Sequence, residues 1–141
     1  MATPSTAPEV MFSFLGAAHA LEDRIEQQLG QVGLSMSKLG VLTQLVEAGE
    51  PLALSELAAR LSCVRSNMTQ LVDRLEADGL VRRVDDPADR RSVLAAVTRL
   101  GEERQIAGAQ ELAKVREEFT AALPVADRVA LARALAALGK G

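Results

Sequence analysis

The feature that most constrains this chain is a change of hydrophobic period at Gly79. Before it, Met68, Leu71, Val72 and Leu75 recur at the three- and four-residue spacing that gathers side chains on one side of a helix. After it, Leu80-Val81-Arg82-Arg83-Val84 and Ser92-Val93-Leu94-Ala95-Ala96-Val97 read as extended segments, separated by Asp85-Asp86-Pro87-Ala88-Asp89-Arg90-Arg91. Asp-Pro among polar residues marks a turn, so the flanks form a hairpin with a basic tip. Upstream, Ser55 is placed to cap a short helix over Glu56-Leu57-Ala58-Ala59-Arg60-Leu61, and only Ser62-Cys63 separates it from the helix at 64–78. Two helices across so short a connection make a helix-turn-helix, and the hairpin that follows makes it a winged one.

The flanks are helical. Residues 1–8, with Pro4 and Pro8, read as a flexible N-terminal tail. Beyond Val10, the residues Met11, Phe14, Leu15, Ala18, Leu21, Ile25 and Leu29 form a helical stripe that ends near Gly30 to Gly33. A helix of about 20 residues spans about 30 Å, long for a chain of 141 residues, and its stripe is expected to pack against a partner. Ser35 caps a second helix that stops at Gly49-Glu50-Pro51, and Leu52-Ala53-Leu54 is extended. Thr98 caps a long helix with Glu102 and Glu103 in its first turn, and Pro124 opens a last one. The expected fold is mainly α with a small antiparallel β-wing, in the order α-α-β-α-α-β-β-α-α. A winged helix-turn-helix at 35–98 lies between terminal helical segments at 9–34 and 99–141.

Composition removes several function classes. One cysteine, Cys63, makes no internal disulfide, and with the single histidine, His19, it is too little for a zinc cage. No metal and no cofactor are expected. No phosphate-cradling glycine loop and no Ser/His/Asp set appears, so an enzyme is not expected. Three Phe and no Trp or Tyr leave little for stacking bases. No apolar run reaches the roughly 18 residues of a membrane span, and the start lacks a signal-peptide pattern, so a cytoplasmic protein without a membrane partner is expected. The net charge of -3 argues against nucleic acid, but its distribution does not. Residues 1–50 carry six acids and two bases, whereas residues 51–100 carry seven acids and eight bases, every base an arginine. The planar fork of arginine suits phosphates and guanine edges; a coding bias toward arginine throughout the chain is the alternative.

Three stretches carry a resemblance to a known family. They are Leu54-Ser55-Glu56-Leu57-Ala58-Ala59-Arg60-Leu61, then the run from Thr69 through Asp73-Arg74-Leu75-Glu76 to Gly79-Leu80-Val81-Arg82-Arg83, and then Asp86-Pro87-Ala88-Asp89-Arg90-Arg91-Ser92 leading to Val97-Thr98. In these the chain resembles the MarR family of bacterial transcriptional regulators. The resemblance implies a homodimer whose terminal helices interleave as dimerisation helices, and whose two winged helices read a pseudopalindromic operator in double-stranded DNA. It also implies a repressor released by a small-molecule effector or an oxidant.

The residues support that reading independently. In a helix-turn-helix the second helix enters the major groove with its N-terminal residues facing base edges. Here these are Arg65, Ser66, Asn67, Thr69 and Gln70, with Arg74 one turn on and placed for a phosphate. Arginine pairs with guanine, and asparagine and glutamine with adenine; a merely solvated polar face is the alternative. In the wing, Asp89 and Arg91 match the family's Asp-x-Arg pair, which implies an arginine in the minor groove oriented by the acid, with Arg90 on a phosphate. A solvated turn with a weak surface ion pair is the alternative there. Arg82 and Arg83 point to opposite faces of a strand, so at most one faces DNA. Val64 stands where relatives place a capping Ser or Thr, which leaves Ser62 as a candidate cap. Cys63 is a candidate redox site or a small buried apolar residue, and His19 a candidate effector contact or a packed residue. The competing function is a winged-helix protein-interaction module that does not bind DNA.

Overall fold

A computed structural model describes residues 5–63 and 65–139. Among these, six helices and three strands run in the order α1 (Ala7–Gly30), α2 (Met36–Ala48), β1 (Leu52–Ala53), α3 (Leu54–Arg60), α4 (Arg65–Ala77), β2 (Val81–Asp86), β3 (Asp89–Val97), α5 (Arg99–Ala122) and α6 (Val125–Leu138). The mainly α architecture with an antiparallel wing is the one expected.

The core lies under the winged helix. Leu39, Val41, Leu42 and Leu45 of α2 are buried with Leu57 of α3, Met68, Val72 and Leu75 of α4, Leu80 just before the sheet, and Val81 and Ala95 within it. Burying a Leu, Val or Met side chain yields about 1.5–3 kcal/mol, so this cluster positions α4. The sheet has the order β1-β3-β2, with Leu52 opposite Ala95 and Arg83 also opposite Ala95 from the other side. Gly79 ends α4 in the left-handed conformation (φ 77°), which a side chain adopts rarely, and turns the chain into β2.

Several local expectations are corrected. Residues 7 and 8 of the expected tail are helical: Thr6 Oγ1 accepts from Glu9 N–H at 3.3 Å while the Glu9 carboxylate accepts from the N–H of Ser5 and Thr6, a capping box that starts α1 at Ala7. Residues 1–4 of the expected tail lie outside the described residues. Ser55 does not cap α3; the helix starts at Leu54 with Ala53 as N-cap and no side-chain cap, because pairing of β1 with β3 fixes where the strand ends. The wing strands continue almost to the tip, leaving Pro87 and Ala88 as the turn, with a register shift between Asp85 and Asp86. Val64 lies outside the described residues, and Ser62 takes a left-handed conformation (φ 51°) in the turn before α4.

The terminal helices leave apolar surface uncovered. Val10, Met11, Phe12, Phe14 and Leu15 of α1 are exposed, and α6 buries none of its residues, with Val125, Val129, Leu135 and Leu138 open. A polar ladder joins α1 to α5. Arg24 donates to both Glu118 carboxylate oxygens (2.6 and 3.0 Å) and to Gln28, and Gln28 donates in turn to Glu111. The hydrogen bond from Arg24 holds the Glu118 carboxyl below the usual carboxylate range, and that from Gln28 does the same for Glu111. Among the described residues no helix is long and apolar enough to cross a membrane.

Candidate nucleic-acid interface

Helix α4 is divided cleanly by its period. Met68, Val72 and Leu75 are fully buried, and Ser66, Asn67, Thr69, Gln70 and Arg74 are exposed. The inward row anchors the helix; the outward row presents hydroxyls, amides and a guanidinium. Arg65 lies at the first position of α4. Asn67, Gln70 and Arg74 also line a groove of about 310 Å³ between α4 and the start of α2, completed by Ser35, Ser37, Lys38, Cys63 and Leu71.

At the wing tip, Asp89, Arg90 and Arg91 are all exposed. Asp89 Oδ1 accepts from the backbone N–H of Arg91 at 3.0 Å, and Asp86 Oδ1 accepts from Ala88 N–H at 2.9 Å. The acid of the Asp-x-Arg pair thus holds the main chain of Arg91 and stiffens the tip from which its guanidinium projects.

Charge is sorted across the site. The carboxylates of α4 and its end are engaged: Asp73 and Glu76 by Arg83, and Asp78 by Lys38 at 2.9 Å. Among the described residues, Arg74, Arg90 and Arg91 make no such ion pair, so cations remain where acids are committed. Burial works against the charge of Arg83, but the hydrogen bonds it donates to Asp73 and Glu76 outweigh it and hold the guanidinium protonated. Arg82, on the opposite face of β2, lines a cleft with Glu50 and Glu102. Of the two arginines, neither was singled out as a site residue by the sequence.

The remaining candidates lie apart. Cys63 is half-buried, and it borders a second cavity of about 220 Å³ with Met36, Ser37, Leu61, Met68 and Leu71. His19 is exposed on α1, remote in sequence from this groove. Among the described residues no group of three or more His, Cys, Asp or Glu could hold a metal ion. Sequence reasoning passed over Lys38 and Ser37, which join the groove only because α2 packs on α4, a contact that no local pattern encodes.

Comparison with known proteins gives this geometry a family. The MarR family profile matches residues 34–93. The chain is 37% identical over 82 residues to the HTH-type transcriptional regulator PrsX of Escherichia coli, covering 57% of this chain and 49% of that protein. It therefore spans about half the length of that relative. Among solved structures it is similar to AbsC, a MarR family transcriptional regulator from Streptomyces coelicolor, with a TM-score of 0.82 and 28% identity, covering 99% of this chain and 97% of that one. It is also similar to Sco3205, a MarR family transcriptional regulator from the same organism in complex with DNA, with a TM-score of 0.82 and 30% identity, covering 100% of this chain and 91% of that one. A winged helix with this wing, matched over its whole length at that identity, places the chain in the MarR family of winged helix-turn-helix transcriptional regulators.

Proposed function

We propose that the chain is a homodimeric regulator that binds a pseudopalindromic DNA operator, with α4 in the major groove and the wing tip in the minor groove. The observation that carries the reading is the sorting of charge: the acids of α4 are tied up within the protein, while Arg74, Arg90 and Arg91 flank an outward row of hydroxyls and amides. Uncommitted arginines beside hydrogen-bonding side chains supply both phosphate attraction and base readout. The similarity to Sco3205, solved with DNA, supports it. Membership of a family of transcriptional regulators sets catalysis aside.

A second copy is the partner that fits the uncovered apolar faces of α1 and α6, which one chain leaves in water. The half-sites then lie about one helical turn apart, roughly 34 Å. The protein acts in the cytoplasm as a repressor, and a small molecule or oxidant releases it by favouring a different spacing of the two heads. The groove beside Cys63 and an apolar groove lined by Leu21, Ile25, Leu112, Val115, Arg116 and Phe119 are the candidate places for such a signal.

The test is a gel-shift titration with the fragment upstream of the protein's own gene. Wild type retards it, with affinity falling steeply as salt rises because arginines displace counterions from phosphates. Gln70→Ala with Arg91→Ala weakens retardation by at least about tenfold, at about 1–3 kcal/mol per lost base contact, without changing the mass of the protein. Equal binding by the double variant contradicts the site assignment.

A further inference from the structure

Asp73 poses a problem for the reading just given. It stands three residues beyond Gln70, four beyond Thr69 and seven beyond Ser66, so it shares their outward face of α4, and it is exposed. A carboxylate there lies among the groups offered to DNA phosphates, and Glu76 follows one turn later. The fold answers with one residue of the wing. Arg83 Nη2 donates to Asp73 Oδ1 at 2.5 Å and Arg83 Nη1 donates to Glu76 Oε1 at 2.8 Å. The backbone N–H of Arg83 donates to the other Glu76 oxygen at 3.0 Å, so the outer edge of β2 is bonded to α4 through main chain and side chain together. The Arg83 side chain is 27% exposed, against 59% and 42% for Asp73 and Glu76, which places the cation inside the clasp and the acids at its rim. Only a forked guanidinium spans two carboxylates on successive turns; a lysine ammonium is a single point.

Resting on the DNA reading above, we propose that Arg83 is a positioning residue for DNA recognition: it holds Asp73 and Glu76 against the wing strand and so clears free negative charge from the reading face. It touches protein rather than DNA. Its importance comes from the two carboxylates, so their removal relieves its loss, which distinguishes it from a phosphate contact and from a residue that only supports folding.

The experiment measures binding by fluorescence anisotropy, at one salt concentration, of a labelled duplex that wild type selects from a randomised pool. The variants are R83Q, R83K, D73N/E76Q and R83Q/D73N/E76Q, each checked for folding by circular dichroism. R83Q binds about tenfold more weakly, since two uncompensated charges now face the phosphates at short range, and R83K falls between it and wild type. R83Q/D73N/E76Q recovers to within about threefold of wild type, whereas D73N/E76Q alone changes binding by less than about threefold, a coupling that independent effects do not produce. If R83Q melts below the assay temperature, R83K against R83K/D73N/E76Q makes the same comparison. R83Q binding as wild type does, or a triple variant no better than R83Q, overturns this inference alone. A wild type that selects no duplex overturns the DNA reading and this inference with it.

Discussion

Gly101 is where the long helix α5 meets the wing, and replacing it with alanine tests that junction. It is buried in the first turn of α5, and a Cβ built there lies 2.0 Å from the Leu80 carbonyl oxygen and 2.7 Å from Val97 Cγ2. Carbon and oxygen in contact stand about 3.3 Å apart, so helix or strand must retreat by about 1.3 Å. The Leu80 carbonyl is also the acceptor for Thr98 N–H at 3.1 Å, a bond that stretches with any retreat. Overpacking of this kind costs about 1–3 kcal/mol, and the threatened hydrogen bond adds about 1 kcal/mol. Alanine's better helix propensity returns about 1 kcal/mol. The net expectation is destabilisation of about 2–3 kcal/mol, near the upper end because the clash is with backbone, or about 6–9 °C in Tm for a chain this size. Gly40→Ala is the control. It is also within a helix, but its new Cβ meets only the Leu61 methyls at 3.4 and 3.8 Å, so it gains up to about 1 kcal/mol. Both are read by thermal unfolding followed by far-ultraviolet circular dichroism at equal protein concentration. A G101A protein that melts with or above wild type, or a G40A protein that falls as far as G101A, refutes the packing argument.

Other expectations follow from the same contacts. Thr98→Val removes the cap accepting from Gly101 N–H at 3.0 Å and the hydroxyl donation to Gly79 O at 2.7 Å; the loss is about 1–2 kcal/mol, seen as a lower urea midpoint with unchanged slope. Val129→Asp puts a charge on the open face of α6 and converts a dimer into a monomer in sedimentation equilibrium; an unchanged mass places the interface elsewhere. Because the Glu118 carboxyl is held low by Arg24, its contribution is complete above the ordinary carboxylate range and is lost as pH falls through the lowered value. The melting temperature of wild type therefore drops more on acidification than that of Glu118→Gln, by a small margin because the pair is exposed; parallel curves contradict the assignment.

The winged helix was legible because its two periods are unambiguous and Gly79 divides them. The inward row of α4 and the outward set of Ser66, Asn67, Thr69 and Gln70 follow from that spacing alone. Local signals failed where long-range pairing decides the outcome. Ser55 has the chemistry of a cap, yet β1 pairs with β3 and the helix starts at Leu54. The polar run around Asp-Pro resembles a wide loop, yet the ladder continues through it with a bulge. The Thr6-x-x-Glu9 capping box was present in the sequence and only needed to be read. The clasp of Arg83 needed the angle between strand and helix, which alternation restricts to one of two faces without choosing between them.

Dimethyl sulfate methylation interference on a selected duplex tests the central claim most directly, because it marks guanine N7 in the major groove and adenine N3 in the minor groove in one experiment. The account predicts two regions of major-groove interference about one helical turn apart, each accompanied by minor-groove interference that Arg91→Ala abolishes. A single region, or minor-groove marks that persist in Arg91→Ala, contradicts a dimer reading DNA with α4 and its wing.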